Sequence, residues 1–161
     1  MQSSNILLTA FRDTSAELLI ANITAYKTLV LPNDKIKDSE KLIDAILVER
    51  PDYVISFGQR PNIKNKVHIE TTARDDDFLI STNFDCDKLK LAFEQNGIVS
   101  KISNNAGTSF CNHLYLNGLK YVLQNRLNTK MVFVHIPFEK NILDLESFSE
   151  QIFDAIADIL E

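Results

Sequence analysis

Short runs of apolar, often β-branched residues alternate along this chain with longer stretches of helical period, and this alternation constrains the fold more than any other feature. Such a pattern is typical of a mostly parallel sheet covered by helices. The predicted strands are residues 5–9, 27–31, 53–57, 66–71, 98–102 and 131–136. The predicted helices are residues 14–25, 38–49, 85–96, 111–124 and a last one from Ser147. We therefore expect an α/β structure of three layers, with helices on both faces of the sheet.

The length of the chain fits one domain. It has 161 residues, of which 45% are apolar, enough to bury a substantial core. No stretch reads as a linker, a repeat or a low-complexity tract. Residues 1–161 are therefore predicted to form a single α/β domain.

Charge and hydropathy exclude several classes of partner. The formal net charge of −5 gives no electrostatic reason to bind nucleic acid or an anionic membrane. No window approaches the roughly 18 apolar residues of a membrane span, and the first residues do not resemble a secretion signal. We expect a cytoplasmic protein whose two cysteines, Cys86 and Cys111, stay reduced. The acidic run 75–77 is interpreted as a solvated loop, and we assign neither metal nor cofactor.

Cys111 is the candidate nucleophile. It follows the strand 98–102 through a run of small and polar residues, 103–109, and then opens a helix. The unpaired N–H groups and the positive dipole end of a helix stabilise a thiolate, so we expect its pKa to be lowered. The same N–H groups could hold an oxyanion. The alternative is a cysteine that packs as a small hydrophobic residue.

A nucleophilic thiolate needs a base, and the chain has three histidines. His135 ends a predicted strand and is expected at the same carboxyl edge of the sheet as Cys111. His113 is only two residues from Cys111 and would point elsewhere on a helix, whereas His68 remains a substitute candidate. Glu70 could accept the second imidazole N–H and orient the base. Its alternative is an exposed carboxylate on an edge strand.

Three segments stand together in an order that resembles the pyroglutamyl peptidase I family, the pyrrolidone-carboxylate peptidases. They are the segments 51–59, 102–112 and 133–138, of which the second, with its Ala-Gly approach to Cys-Asn, is the most specific. The resemblance implies that Glu70, Cys111 and His135 are the catalytic residues. It also implies a dimer or tetramer. Phe11 and Phe110 are expected as walls for the flat lactam ring of a substrate, with Gln59 near its polar edge. The alternative is that these side chains pack in the core.

The sequence departs from the family pattern at several places. The residues 10–14 stand where a Gly-Phe-Glu-Pro-Phe-Gly-Gly stretch is usual, and the residues 60–64 replace a Gly-Gly-Arg element. Thr71 takes the position of a family arginine, and the residues 74–78 stand where a long loop is expected. The resemblance therefore implies a shortened, divergent member.

The expected function is that of a cysteine peptidase or amidase that removes an N-terminal pyroglutamyl group from a small peptide or acyl amide. Two alternatives belong to other classes. One is a flavodoxin-like module that binds a phosphate or cofactor at the hydroxyl-rich turn 9–15, although this turn lacks the glycine of a phosphate loop. The other is a degenerate relative that keeps the fold and acts as an interaction protein.

Overall fold

The structure, a computed structural model, describes residues 4–160, and its centre is a six-stranded sheet. The strands of the chain are β1 (Ile6–Phe11), β2 (Lys27–Leu31), β3 (Tyr53–Arg60), β4 (Lys66–Glu70), β5 (Thr72–Asp75), β6 (Phe78–Ser81), β7 (Val99–Ser103) and β8 (Lys130–Pro137). Six of them form the sheet in the order β2-β1-β3-β8-β4-β7. The other two, β5 and β6, form a separate hairpin.

Helices cover both faces of the sheet. They are α1 (Ser15–Ile20), α2 (Lys35–Glu49), α3 (Cys86–Gln95), α4 (Phe110–Gln124) and α5 (Leu145–Leu160), with a 3-10 turn at Glu139–Asn141. One apolar cluster joins α1, α3 and α5 to one face, and a second joins α2 and α4 to the other. The expected α/β class, with a mostly parallel sheet between two helical layers, is confirmed. No helix within residues 4–160 is long and apolar enough to cross a membrane.

Two of the six strands, β4 and β7, run in the opposite direction to the other four. β1, β2, β3 and β8 run parallel, whereas β4 is antiparallel to β8 and β7 is parallel to β4. Only residues 61–65 connect β3 to β4, and a parallel crossover normally needs a dozen residues or more. The carboxyl ends of β7 and β8 therefore lie at opposite ends of the sheet. The expectation that Cys111 and His135 follow strands with a common carboxyl edge was wrong.

The helix boundaries also correct two expectations. α1 ends at Ile20, not near residue 25, because the following residues 22–24 are asparagine and β-branched residues, which are weak helix formers. α5 begins at Leu145, ahead of Ser147. The carboxylate of Asp144 accepts a hydrogen bond from the N–H of Ser147 at 3.1 Å, so it caps this helix.

The β5–β6 hairpin was not predicted from the sequence. Of the acidic run 75–77, interpreted as a loop, Asp75 ends β5 and Asp76 and Asp77 form the turn, in which Asp76 has a φ of 50°. Aspartate tolerates this left-handed conformation better than most residues. The hairpin packs against α4, where Ala73 is fully buried. The hairpin thus occupies the region after β4, where the family pattern has a longer loop.

Candidate active site

Cys111 is the second residue of α4 and lies against the central strand β3. A Cβ atom built on Gly58 would be only 2.7 Å from the sulfur of Cys111. The absence of a side chain at Gly58 therefore gives the thiol its place on the sheet. Both cysteines are free thiols, and Cys111 is the more exposed of the two.

His135 lies beside this thiol position. In the register of β3 and β8, His135 is the direct partner of Gly58, so its imidazole emerges next to the glycine on the face covered by α4. The side chain is only 4% exposed, and its ring centroid lies 4.9 Å from that of Phe133. The Nδ1 atom of His135 is 3.6 Å from the Oε1 atom of Glu70.

Glu70 is the last residue of β4 and is fully buried, so it is not an exposed edge carboxylate. Its backbone carbonyl accepts a 2.7 Å hydrogen bond from the hydroxyl of Tyr115 in α4. Its carboxylate lies 3.4 Å from the Nη1 atom of Arg60 as well as near His135. A buried carboxylate is costly without such partners. Glu70 is thus fixed through both its backbone and its side chain.

The electrostatics of Cys111 reverse an expectation drawn from the sequence. Burial of the sulfur raises the pKa of Cys111 to about 12, and the negative charge of Glu70 adds to this increase. Arg60 and the backbone N–H of Cys111 itself lower the pKa, but not enough to compensate. Cys111 at rest is therefore a neutral thiol, and it would need a neighbouring base to act as a nucleophile.

Asn112 shows why an amide side chain next to the cysteine is useful. Its Oδ1 atom accepts a hydrogen bond from the N–H of Arg74 at 2.8 Å, and its Nδ2 atom donates to the carbonyl of Arg74 at 3.0 Å. A 2.6 Å ion pair between Lys120 and Asp75 joins the same two elements. The bonds of Asn112 attach the first turn of α4 to the hairpin strand β5, the ion pair attaches a later turn, and both help to hold Cys111 in place.

The three residues expected around the lactam ring have different surroundings. Phe11 is 4% exposed and packs in the core under α2 and α4. Gln59 accepts a 3.0 Å hydrogen bond from the N–H of Ser15, so its side-chain oxygen is held at the start of α1. Phe110 directly precedes Cys111, is 39% exposed and has the ammonium group of Lys35 5.7 Å from its ring centroid. Of the three, Phe110 is the one exposed beside the thiol.

The remaining candidates are placed as follows. His68 is the cross-strand partner of His135 in the β4–β8 pair, and neither of its ring nitrogens has a hydrogen-bond partner among residues 4–160. Cys86 is buried in the other core cluster, where burial raises its pKa to about 11. In the described part of the chain, no group of three or more His, Cys, Asp or Glu side chains is arranged to hold a metal ion.

Comparison with known proteins assigns the fold and the family. A family model described as pyroglutamyl peptidase, Peptidase_C15, matches residues 65–149. The chain belongs to this family. A pyrrolidone-carboxylate peptidase of Brachyspira hyodysenteriae is 29% identical in an alignment of 155 positions, which covers 83% of this chain and 77% of the relative. Another, from Thermosipho melanesiensis, is 29% identical in an alignment of 199 positions, which covers 96% of this chain and 98% of the relative.

Solved structures of pyroglutamyl peptidases have the same fold. The pyroglutamyl peptidase I of Bacillus amyloliquefaciens matches with a TM-score of 0.84 at 17% identity, covering 96% of this chain and 95% of that one. The pyrrolidone carboxyl peptidase of Thermococcus litoralis matches with a TM-score of 0.80 at 18% identity, covering 95% and 91%. The family resemblance recognised in the sequence is confirmed, and a flavodoxin-like module is not favoured.

Two residues of the site were not identified from the sequence. Gly58 was noted only as part of a matching segment, although a glycine within a strand often marks a close approach by another group. Arg60 was noted only as a departure from the family pattern, yet its guanidinium contacts Glu70 and donates to the carbonyl of Asn105 at 3.0 Å. No local pattern reveals that contact, since it joins residues from three separate segments.

Proposed function

We propose that this chain is a cysteine peptidase that removes an N-terminal pyroglutamyl group, with Cys111 as nucleophile, His135 as base and Glu70 as the residue that orients the base. The observation that carries the proposal is the contact of 3.6 Å between His135 and the fully buried Glu70, next to the strand glycine on which Cys111 rests. Membership of the pyroglutamyl peptidase family supports it, as do relatives named pyrrolidone-carboxylate peptidase.

The first chemical step transfers a proton and forms a carbon–sulfur bond. Because the Nδ1 atom of His135 faces Glu70, Nε2 is the nitrogen left to take the proton of the Cys111 thiol. The sulfur then attacks the carbonyl carbon of the pyroglutamyl amide. The separation between Nδ1 and Oε1 exceeds hydrogen-bond length, a looseness common in sites without substrate, and Glu70 stabilises the imidazolium as the pair closes.

Collapse of the tetrahedral intermediate completes the transfer. The carbonyl oxygen gains negative charge, and N–H groups in the first turn of α4 are placed to stabilise it, since the N-cap Ser109 makes no side-chain capping hydrogen bond with them. The imidazolium of His135 protonates the leaving amine as the C–N bond breaks. Water, deprotonated by the neutral imidazole, then hydrolyses the thioester and regenerates the thiol of Cys111.

Recognition of the lactam ring is the part in which this chain departs from the family pattern. We assign the main contact to Phe110, because it is exposed and adjoins Cys111 in α4. We assign Gln59 and Phe11 a supporting role behind this contact, because Gln59 accepts a hydrogen bond at the start of α1 and Phe11 packs in the core. The proposed acyl group is still pyroglutamate. The residues that contact its ring differ from the glycine-rich stretch that is usual in the family.

One assay tests the proposal. Wild type should release fluorescent amine from pyroglutamyl-7-amido-4-methylcoumarin, and Cys111→Ala should lose activity by about 10³-fold or more. Cys86→Ala is the matched control, since it removes the other free thiol, which is buried in the apolar cluster on the opposite face of the sheet. It should keep activity within a few fold. Equal rates for wild type and Cys111→Ala would overturn the assignment, as would a wild type that hydrolyses no pyroglutamyl amide.

We further propose a cytoplasmic location and a dimer or tetramer. The two free thiols are compatible with a reducing compartment, and the homo-oligomer follows from the family resemblance alone. Light scattering on the purified protein measures the assembly directly. A monomer at micromolar concentration would contradict this part of the proposal without affecting the chemistry.

A further inference from the structure

A cleft lies next to the candidate active site, where β4 and the edge strand β7 form one end of the sheet. Its volume is about 480 Å³, and the residues that line it include Arg60, His68, Thr71, Lys101, Ser103 and Asn105. On β7, Val99 shares the face of Lys101 and is 61% exposed, so this part of the sheet is open to solvent. Arg60 connects the cleft to the site because the same Nη1 atom contacts Glu70 and Asn105.

His68 is the residue of this cleft that indicates a ligand. It is only 8% exposed, and both ring nitrogens are buried with no hydrogen-bond partner among residues 4–160. Buried polar atoms are nearly always paired, because leaving one unpaired is costly. His68 also lines the open cleft together with Arg60 and Lys101, so a group that enters the cleft lies beside its imidazole.

The charges around His68 favour an anion as the ligand of the cleft. Three cationic side chains act on its imidazole, those of Arg60, Lys66 and Lys101, against the single carboxylate of Glu70. Burial is the first cause that lowers the pKa of His68, and the charge of Arg60 is the second. Glu70 is already engaged by Arg60 and His135. In a chain with a net charge of −5, this local excess of positive charge is an exception.

We propose that the cleft formed by Arg60, His68 and Lys101 binds a carboxylate of the substrate, carried by the peptide that leaves after acyl transfer. The inference rests on the proposed function for the identity of that peptide. The leaving amine must lie against His135, which protonates it, and His68 is the cross-strand partner of His135. Lys101 is in turn the partner of His68 on β7.

The spacing of the strands limits where the carboxylate can be in the substrate. Neighbouring strands are about 4.8 Å apart, so Lys101 lies roughly 10 Å across the sheet from His135. An extended peptide spans about 3.3 Å per residue. A carboxylate between His68 and Lys101 therefore belongs to the first or second residue after the scissile bond, as its side chain or as the C-terminus of a short peptide.

Kinetics with three matched peptides test the proposal. Pyroglutamyl-alanine carries a terminal carboxylate, pyroglutamyl-glutamic α-amide a side-chain carboxylate, and pyroglutamyl-alaninamide neither. For wild type, kcat/KM should be about fivefold higher for at least one of the two acids than for the amide, and the preferred acid identifies the source of the carboxylate. In Lys101→Gln this ratio should fall to nearly one.

Lys27→Gln is the control, because Lys27 is an exposed lysine on β2, the other edge strand of the sheet. It should keep the wild-type ratio. A wild-type ratio near one for both acids would overturn the carboxylate site. So would a preference that survives in Lys101→Gln.

A binding measurement separates failure of this site from failure of the proposed function. The ring C–H signals of His68 can be followed by NMR during titration with acetylglycine, which carries a carboxylate and has no pyroglutamyl group. Wild type should show a saturable shift that is lost in Lys101→Gln and retained in Lys27→Gln. If wild type cleaves no pyroglutamyl peptide yet shows this shift, only the proposed function fails. The absence of any shift in wild type overturns the site whatever the activity.

Discussion

Replacing Gly58 by alanine tests how Cys111, the proposed nucleophile, is positioned. The added Cβ would lie 2.7 Å from the sulfur of Cys111 and 2.7 Å from the Cζ atom of Phe133. Non-bonded heavy atoms prefer roughly 3.5–4.0 Å, so the sulfur or the ring must move by about 1 Å. A misplacement of about 1 Å at a reacting group costs about 10²-fold in rate. We therefore expect kcat/KM of Gly58→Ala to fall by about 10²-fold.

The same substitution has a calculable effect on stability. Overpacking a core by one methyl group costs about 1–3 kcal/mol, and each kcal/mol lowers the melting temperature of a domain this size by about 2–4 °C. Most of the protein should therefore stay folded at 25 °C. Assays with pyroglutamyl-7-amido-4-methylcoumarin at 25 °C, together with thermal unfolding followed by circular dichroism, separate the loss of activity from the loss of structure.

Gly118→Ala is the matched control for Gly58→Ala. Gly118 lies in α4, as Cys111 does, and its added Cβ would be 2.5 Å from the sulfur of Met131 and 3.0 Å from Leu42. The clash is thus similar, but it falls on a flexible thioether away from the thiol. We expect activity within about threefold of wild type. If Gly58→Ala kept wild-type kcat/KM while its melting temperature fell, the placement of Cys111 over Gly58 would be refuted.

Three further predictions concern the thiol, the support of Glu70 and the cap of α2. With a pKa raised to about 12, the thiolate fraction of Cys111 grows about tenfold per pH unit, so its alkylation by iodoacetamide in Cys86→Ala should accelerate throughout pH 7–10. A plateau below pH 9 would contradict this burial effect. Tyr115→Phe leaves the buried carbonyl of Glu70 without its 2.7 Å hydrogen bond and should lower the free energy of unfolding in urea by about 1–3 kcal/mol. An unchanged urea midpoint would show that another group satisfies the carbonyl. Asp34→Ala removes an N-cap that accepts from two N–H groups and should cost about 1 kcal/mol in the same experiment, with activity retained. A loss of activity there would contradict a purely structural role.

The sequence predicted the helices and strands wherever the hydrophobic periodicity agreed with the residues that mark the end of an element. The six strands of the sheet and five helices were all expected, because β-branched runs and helical stripes alternate clearly. The end of α2 was marked by Pro51, and the observed helix ends at Glu49 with Arg50 in a left-handed cap. The direction of β4 was missed, although the short link 61–65 carries the signal. The β5–β6 hairpin was missed because the acidic run 75–77 resembles any polar loop.

The residue types of the candidate site could be singled out from the sequence, whereas the protonation state of its thiol could not. Cys111, His135 and Glu70 each occupy a position that a motif can single out, and the structure brings Glu70 to His135. The state of the thiol was not predictable, since a helix N-terminus favours a thiolate whereas burial against β3 opposes it more strongly. Burial depends on side chains from several elements, and no local pattern contains it. The same holds for His68, whose unpaired nitrogens are visible only in three dimensions.

The position of β8 has a consequence for how activity appears during synthesis. β8 is the last strand in the described part of the chain, yet it inserts between β3 and β4, so the proposed base His135 is synthesised after Cys111 and Glu70. A nascent chain that ends before β8 lacks the strand that brings His135 to Glu70. On the proposed mechanism, catalysis begins only when this long-range strand pairing closes the sheet, and fragments without β8 carry Cys111 without its proposed base.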